Sequence, residues 1–286
     1  MHSKPYEKIW EIIFLISSLI SILSIVVICY FIFKNGVPFI AKTGLGHFIL
    51  GKEWRPTSTP ASFGILPMII GSLMVTLGSI IIGVPIGVLT AIFMAFYCPD
   101  KLYKVLKPAV NLMAGIPSII YGFFGLMVFV PIVRGWWGGT GMTVFTASVL
   151  LGIMILPTII GLSEASLRSV PKSYYQGSIA LGATEERSLL RVVVPAAKSG
   201  ILSATILGIG RSTGETMAVI MIAGNQPVIP SDIKHGARTM TANIVLEMAY
   251  ATGEHREALI ATGVVLFVFI LLINTVFNLV KRRMAA

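Results

Sequence analysis

The chain has 286 residues, 55% of them hydrophobic and only 12% charged, with a formal net charge of +10. A soluble domain carries about twice that charged fraction. The apolar residues also come in runs of the roughly 20 that a bilayer-spanning helix needs, which excludes an ordinary soluble domain. The positive charge argues for anionic lipid headgroups beside the spans rather than for nucleic acid.

In chain order the apolar runs predict six spans: Ile12–Phe33, Ile65–Phe96, Ala109–Val130, Val144–Leu162, Gly200–Ala223 and Ala258–Val280. They are expected to be helices, because lipid offers no partner to a free backbone amide. The second run exceeds what a bilayer requires and contains Pro67 and Pro85, which predicts a kink or an interfacial start. Between the spans lie an outer loop at Lys34–Gly64, a long inner loop at Ser163–Lys198 and a second outer segment at Gly224–Glu257. Within that last segment Ile244, Val245 and Met248 share a face, which predicts a short helix over Asn243–Tyr250. The chain divides at residue 64 into an N-terminal span with its outer loop (1–64) and a larger transmembrane unit (65–286) carrying the inner loop 163–198.

With the N-terminus inside, 13 basic residues fall on the inner side and 8 on the outer, with Arg211 between them making up the 22. The positive-inside rule therefore places both termini in the cytoplasm of a multi-pass inner-membrane protein. The first run is too long for a cleaved signal peptide and lacks a small-x-small site after Phe33. Cys29 and Cys98 fall near opposite membrane faces, so no disulfide is expected. His2, His47, His235 and His255 lack metal-ligand spacing, so no metal is expected.

Gly46 to Lys52 has the spacing of a P-loop. Glu53 stands where a magnesium-binding hydroxyl is required, and Pro56 disfavours helical geometry at Arg55. The stretch also lies on the wrong side for ATP. With no other nucleotide or cofactor fingerprint, the chain is expected to be no enzyme, and any ATP hydrolysis belongs to another protein.

Arg211 and Glu215 are the clear charges inside a predicted hydrophobic core. Arg211 lies about 18 Å along a helix from Ser199, at 1.5 Å per residue, and so near the bilayer midplane. Burying a charge there costs at least ~2.5 kcal/mol. The i, i+4 spacing predicts partial mutual neutralisation, and Ser212, Thr213 and Thr216 add hydroxyls. One reading is a salt bridge that aids packing. The other is a substrate-pathway site, where Arg with hydroxyls suits a tetrahedral oxyanion. Gly210 and Gly214, like Gly83 and Gly87, share a face that favours close helix packing.

In the inner loop Ser173 is placed to cap a short helix through Leu181, Gly182 to end it in a left-handed turn, and Thr184 to cap a second helix. Pro195 then begins the fifth span. Helix–Gly–helix on the inner side is a knob that a soluble partner can grip; the plain alternative is an amphipathic interfacial loop.

At these residues the sequence resembles the permease subunits of ABC importers. Their signature sets Glu-Ala-Ala four residues before a Gly, with an Ile-x-Leu-Pro run beyond. Here Gly182 and Pro195 hold their places, Val192 and Val194 replace Ile and Leu, and Gln176-Gly177-Ser178 replaces Glu-Ala-Ala. Glu164-Ala165-Ser166 is out of register with Gly182. Gly214-Glu215-Thr216-Met217-Ala218-Val219, with Ala223-Gly224-Asn225, narrows the resemblance to PstC-type permeases of phosphate importers. Glu53-Trp54-x-Pro56, Phe63 to Pro67, and Gly115 to Ser118 with Tyr121-Gly122 support that branch.

The resemblance implies an all-α MetI-like permease fold that forms half of a phosphate pathway. It implies a PstA-like second permease, two copies of a PstB-like ATPase and a PstS-like phosphate-binding protein. It makes Tyr174, Tyr175, Gln176, Gly177, Ser178, Ala180, Leu181, Gly182 and Ala183 the ATPase-coupling segment. A permease for sulfate or molybdate, a stand-alone channel or a secondary transporter remain the alternatives.

Overall fold

The computed structural model describes residues 5–285 and is almost wholly helical. Helix α1 (Pro5–Thr43) and the short α2 (Leu45–Leu50) lead into a two-stranded hairpin, β1 (Trp54–Arg55) and β2 (Ser62–Phe63). The strands pair antiparallel with Trp54 opposite Phe63. Then come α3 (Leu66–Ile92), α4 (Asp100–Gly115), α5 (Ser118–Phe124), α6 (Val130–Trp137) and α7 (Val144–Arg168). The inner loop holds α8 (Lys172–Ala180), α9 (Glu185–Ser188) and α10 (Val194–Ala196). The chain ends with α11 (Lys198–Thr213), α12 (Met217–Ile222), α13 (Met240–Met248) and α14 (Gly253–Ala285).

Five helical stretches are long and apolar enough to cross a bilayer, and the count reaches six when Glu185–Ala196 and Lys198–Thr213, bent by 65°, are taken as one span. The six spans of the sequence therefore hold in number, and α13 sits where the short outer helix was expected. Three boundaries move. α1 runs on to Thr43 and takes ten residues from the expected outer loop. The third crossing is α5 and α6, Ser118–Trp137, rather than Ala109–Val130. Residues 109–115 close α4, whose first turns carry Lys101, Lys104 and Lys107. Pro117 holds Ile116 in extended geometry (φ −70°, ψ 125°), so the helix stops there. The fifth span is broken, as described below.

α3 and α7 form the centre of the bundle. A Cβ on Gly83 would lie 2.7 Å from the Gly152 carbonyl oxygen, and one on Gly87 would lie 2.8 Å from Ile159 Cγ2. These two glycines are therefore where the helices touch, as small residues permit between membrane helices. An outer cluster of Phe39, Phe48, Trp54, Phe63, Met68 and Leu259 joins α1, the hairpin and α14. A central cluster of Val75, Leu150, Met154, Ala218 and Ile222 joins α3, α7 and α12. By contrast α1 is exposed on every side from Lys8 to Ile28, as a lipid-facing helix is.

Candidate functional site: a broken span and an inner knob

α11 ends at Thr213, Gly214 follows it, and α12 restarts at Met217. The expected unbroken helix Gly200–Ala223 is thus interrupted deep in the bundle, where Ser212 Oγ lies 2.6 Å from Ser79 Oγ, halfway along α3. Glu215 explains the restart. Its Oε1 accepts from the backbone amides of Thr216 (3.1 Å) and Ala218 (3.2 Å), where a carboxylate satisfies the free donors of a helix start. Thr241 Oγ1 donates to the Glu215 carbonyl oxygen at 3.0 Å and ties the break to the outer segment. α12 lies on Gly122 of α5, where a Cβ would meet Ala218 Cα at 2.9 Å.

The expected Arg211–Glu215 pairing is corrected by this geometry. The i, i+4 neighbourhood exists only on a continuous helix, and unwinding at Gly214 turns Glu215 to α12. Among the described residues Arg211 makes neither a hydrogen bond nor an ion pair. It lines an open cleft of about 570 Å³ together with Thr158, Ser203, Ile206, Leu207, Gly210 and Asn274.

The other expected pathway residues divide. Ser212 and Thr213 are buried on the opposite side of α11, Ser212 against Ser79 and Thr213 donating to the Ile209 carbonyl at 2.9 Å. Each residue advances about 100° around a helix, so neither shares the face of Arg211. Thr216 Oγ1 donates to the Gly214 carbonyl at 3.3 Å. Gly210 and Gly214 were expected to pack a neighbouring helix. Among the described residues, no atom of another helix lies within 4 Å of a Cβ on Gly210, and a Cβ on Gly214 meets only the Gly210 carbonyl of its own turn. Gly210 borders the cleft instead.

At the inner end, α8 begins after Pro171, whose extended backbone (φ −55°, ψ 132°) starts the helix; Ser173 falls inside the first turn and makes no capping bond. Gly182 has φ +85°, a left-handed conformation that costs a residue with a Cβ about 1–2 kcal/mol. Its amide donates to the Ile179 carbonyl at 2.9 Å and the Ala183 amide to the Ser178 carbonyl at 3.2 Å, the paired bonds of a Schellman stop. Thr184 caps α9 by accepting from the Arg187 amide. Ser188 Oγ donates to Ser178 Oγ at 2.9 Å and locks the two short helices together. Tyr175 and Ser178 turn partly inward; Tyr174, Gln176, Gly177 and Ala180 face out, and Leu181 is 91% exposed. Pro195 lies in α10, just before the 65° bend, so the straight part of the fifth span begins at Lys198.

Two buried acids escaped the sequence reading. Glu164, 1% exposed, accepts from Tyr103 Oη (2.6 Å), Lys107 Nζ (2.7 Å) and Arg168 Nε (2.9 Å). Arg168 also donates to the Met94 carbonyl at 2.8 Å, so α4, α7 and the wide turn Phe93–Tyr97 that continues α3 meet at the root of the inner loop. Glu247 lies between Trp54 Nε1 (2.9 Å), His255 Nε2 (2.8 Å) and Arg238, joining the hairpin, α13 and α14 on the outer side. Glu164 was legible only as part of an out-of-register motif, and Glu247 only as one charge in the short outer helix expected over Asn243–Tyr250.

Residues 83–286 match the family described as binding-protein-dependent transport system inner membrane component. The chain is 39% identical to the probable ABC transporter permease protein YqgH of Bacillus subtilis, over 90% of this chain and 86% of that protein. It is 33% identical to the phosphate transport system permease protein PstC of Mesorhizobium japonicum, over 84% and 79%. Among solved structures, a bacterial alginate ABC transporter in complex with an alginate-bound periplasmic protein aligns over 99% of this chain and 98% of its own, with a TM-score of 0.67 at 15% identity. The MetNI methionine ABC transporter, in an inward-facing form, aligns over 77% and 95%, with a TM-score of 0.62 at 22% identity. Six crossings, a broken fifth span and an inner helix–turn–helix thus sit on a shared fold, and the chain belongs to the family of inner-membrane components of binding-protein-dependent transport systems.

Proposed function

We propose that this chain forms half of the translocation pathway for inorganic phosphate in an ATP-driven importer. The observation that carries the reading is Arg211: a half-buried guanidinium at mid-span, without a carboxylate partner among the described residues, open to a cleft. A cation whose burial served packing alone would be paired, because an unpaired buried charge is strongly destabilising. Several relatives at 30–33% identity are named as phosphate transport permeases, which supports phosphate over other oxyanions.

The cleft is open on one side, which suits closure by a PstA-like second permease. The knob at Tyr174–Ala183 suits docking to one of two copies of a PstB-like ATPase. The outer hairpin and the segment Gly224–Thr239 suit a PstS-like phosphate-binding protein. The test is phosphate uptake into vesicles holding the assembled complex. Uptake that requires ATP and the binding protein is expected, and ATP-independent uptake or failure to carry phosphate overturns the reading. Cysteine pairs between Tyr174–Gly182 and the ATPase are expected to cross-link in membranes; cross-links formed only by the outer loops overturn the assigned sidedness.

A further inference from the structure

Arg211 is not the only polar group in the cleft without a partner. Thr205, Thr213, Thr262 and Thr275 each donate to the carbonyl four residues back, at 3.0, 2.9, 2.9 and 2.7 Å, as hydroxyls in membrane helices commonly do. Thr158, in the middle of α7, makes no such bond among the described residues, and it lines the cleft. Asn274 stands in the apolar run of α14 and makes no hydrogen bond among the described residues. A primary amide in a membrane helix is costly unless something bonds it. Three helices therefore each present to a single space one polar group that is unsatisfied among the described residues: α11 a guanidinium, α14 an amide, α7 a hydroxyl.

We propose that Asn274 and Thr158 complete the oxyanion site of which Arg211 is the cationic part. The proposal rests on the phosphate-pathway reading and assigns that site residues which neither charge nor motif reveals. The chemistry suits an anion that still carries a proton. The guanidinium, the amide N–H and the Thr hydroxyl donate to phosphate oxygens, while the amide oxygen accepts from the P–O–H. Sulfate, fully deprotonated, leaves the amide oxygen unpaired, and a site built to bond a ligand proton rejects the analogue that lacks it. Ile206 and Leu207 add apolar wall beside these groups, with Ser203 already bonded to the Ser199 carbonyl.

The experiment is phosphate uptake by the whole reconstituted complex, normalised to assembled complex, for Asn274→Leu, Asn274→Gln and Thr158→Val. Asn274→Leu is expected to lower maximal uptake at least tenfold, Thr158→Val several-fold, and Asn274→Gln to retain a substantial part. A purely structural role predicts instead that uptake per assembled complex stays at wild type. Wild-type uptake in both Asn274→Leu and Thr158→Val overturns the proposal while leaving the phosphate reading intact. A wild-type complex that imports no phosphate overturns the reading beneath it. Where Asn274→Leu does not assemble, Thr158→Val decides, because it removes one oxygen at nearly constant shape.

Discussion

Glu164 and Arg211 are both charges inside the membrane domain, and their surroundings are opposite. Glu164 is saturated by Tyr103, Lys107 and Arg168, drawn from two helices, and is sealed from solvent. Among the described residues Arg211 has no such partner, and it opens on a cleft. The first arrangement is how a fold uses a charge: the desolvation cost is offset by complete bonding, and removing any part is destabilising. On the proposed function, the second is how a pathway uses one, leaving its bonding capacity for a passing ligand. Glu247, held by Trp54, Arg238 and His255, falls with Glu164.

The sharpest way to break this contrast is Glu164→Ala. It strands Lys107 and Arg168 at the junction of α3, α4 and α7, and is expected to cost about 2–3 kcal/mol of stability. Thermal unfolding of the purified complex measures it; a transition unmoved by the substitution would place Glu164 outside the framework. Next in size is Gly182→Val, where a β-branched residue must adopt φ +85°, at about 1–2 kcal/mol. The spans remain inserted, but ATP hydrolysis is expected to continue with uptake lost. Normal uptake by that variant removes the turn from the coupling element. Thr184→Ala should cost about 1 kcal/mol by uncapping α9, read as faster amide exchange at Glu185–Ser188. Glu215→Gln retains an acceptor for the Thr216 and Ala218 amides and loses only the charge at the start of α12, about 0.3–1 kcal/mol. A modest drop in uptake is expected; complete loss would mean that Glu215 acts on the anion itself.

The number of crossings was legible because apolar runs of bilayer length leave few other choices. The turn at Gly182 was legible because glycine, its helix and the Thr184 cap agree locally. The break at Gly214–Thr216 was not, since a hydropathy run averages over three residues and the capping role of Glu215 appears only once α12 docks on Gly122. The same averaging hid Asn274, a single amide that hardly lowers the hydropathy of α14. Treating Arg211 and Glu215 as a pair assumed an unbroken helix. The third span was misplaced because Pro117 ends α4, and apolar residues on both sides conceal the turn.

The central claim is that Arg211 serves the anion and not Glu215. If the two merely neutralised each other, removing both charges would restore what removing one destroys. Phosphate uptake by Arg211→Gln/Glu215→Gln, normalised to assembled complex, decides between them. The account predicts uptake as low as in Arg211→Gln alone, with assembly intact. Wild-type uptake by the double variant would contradict it.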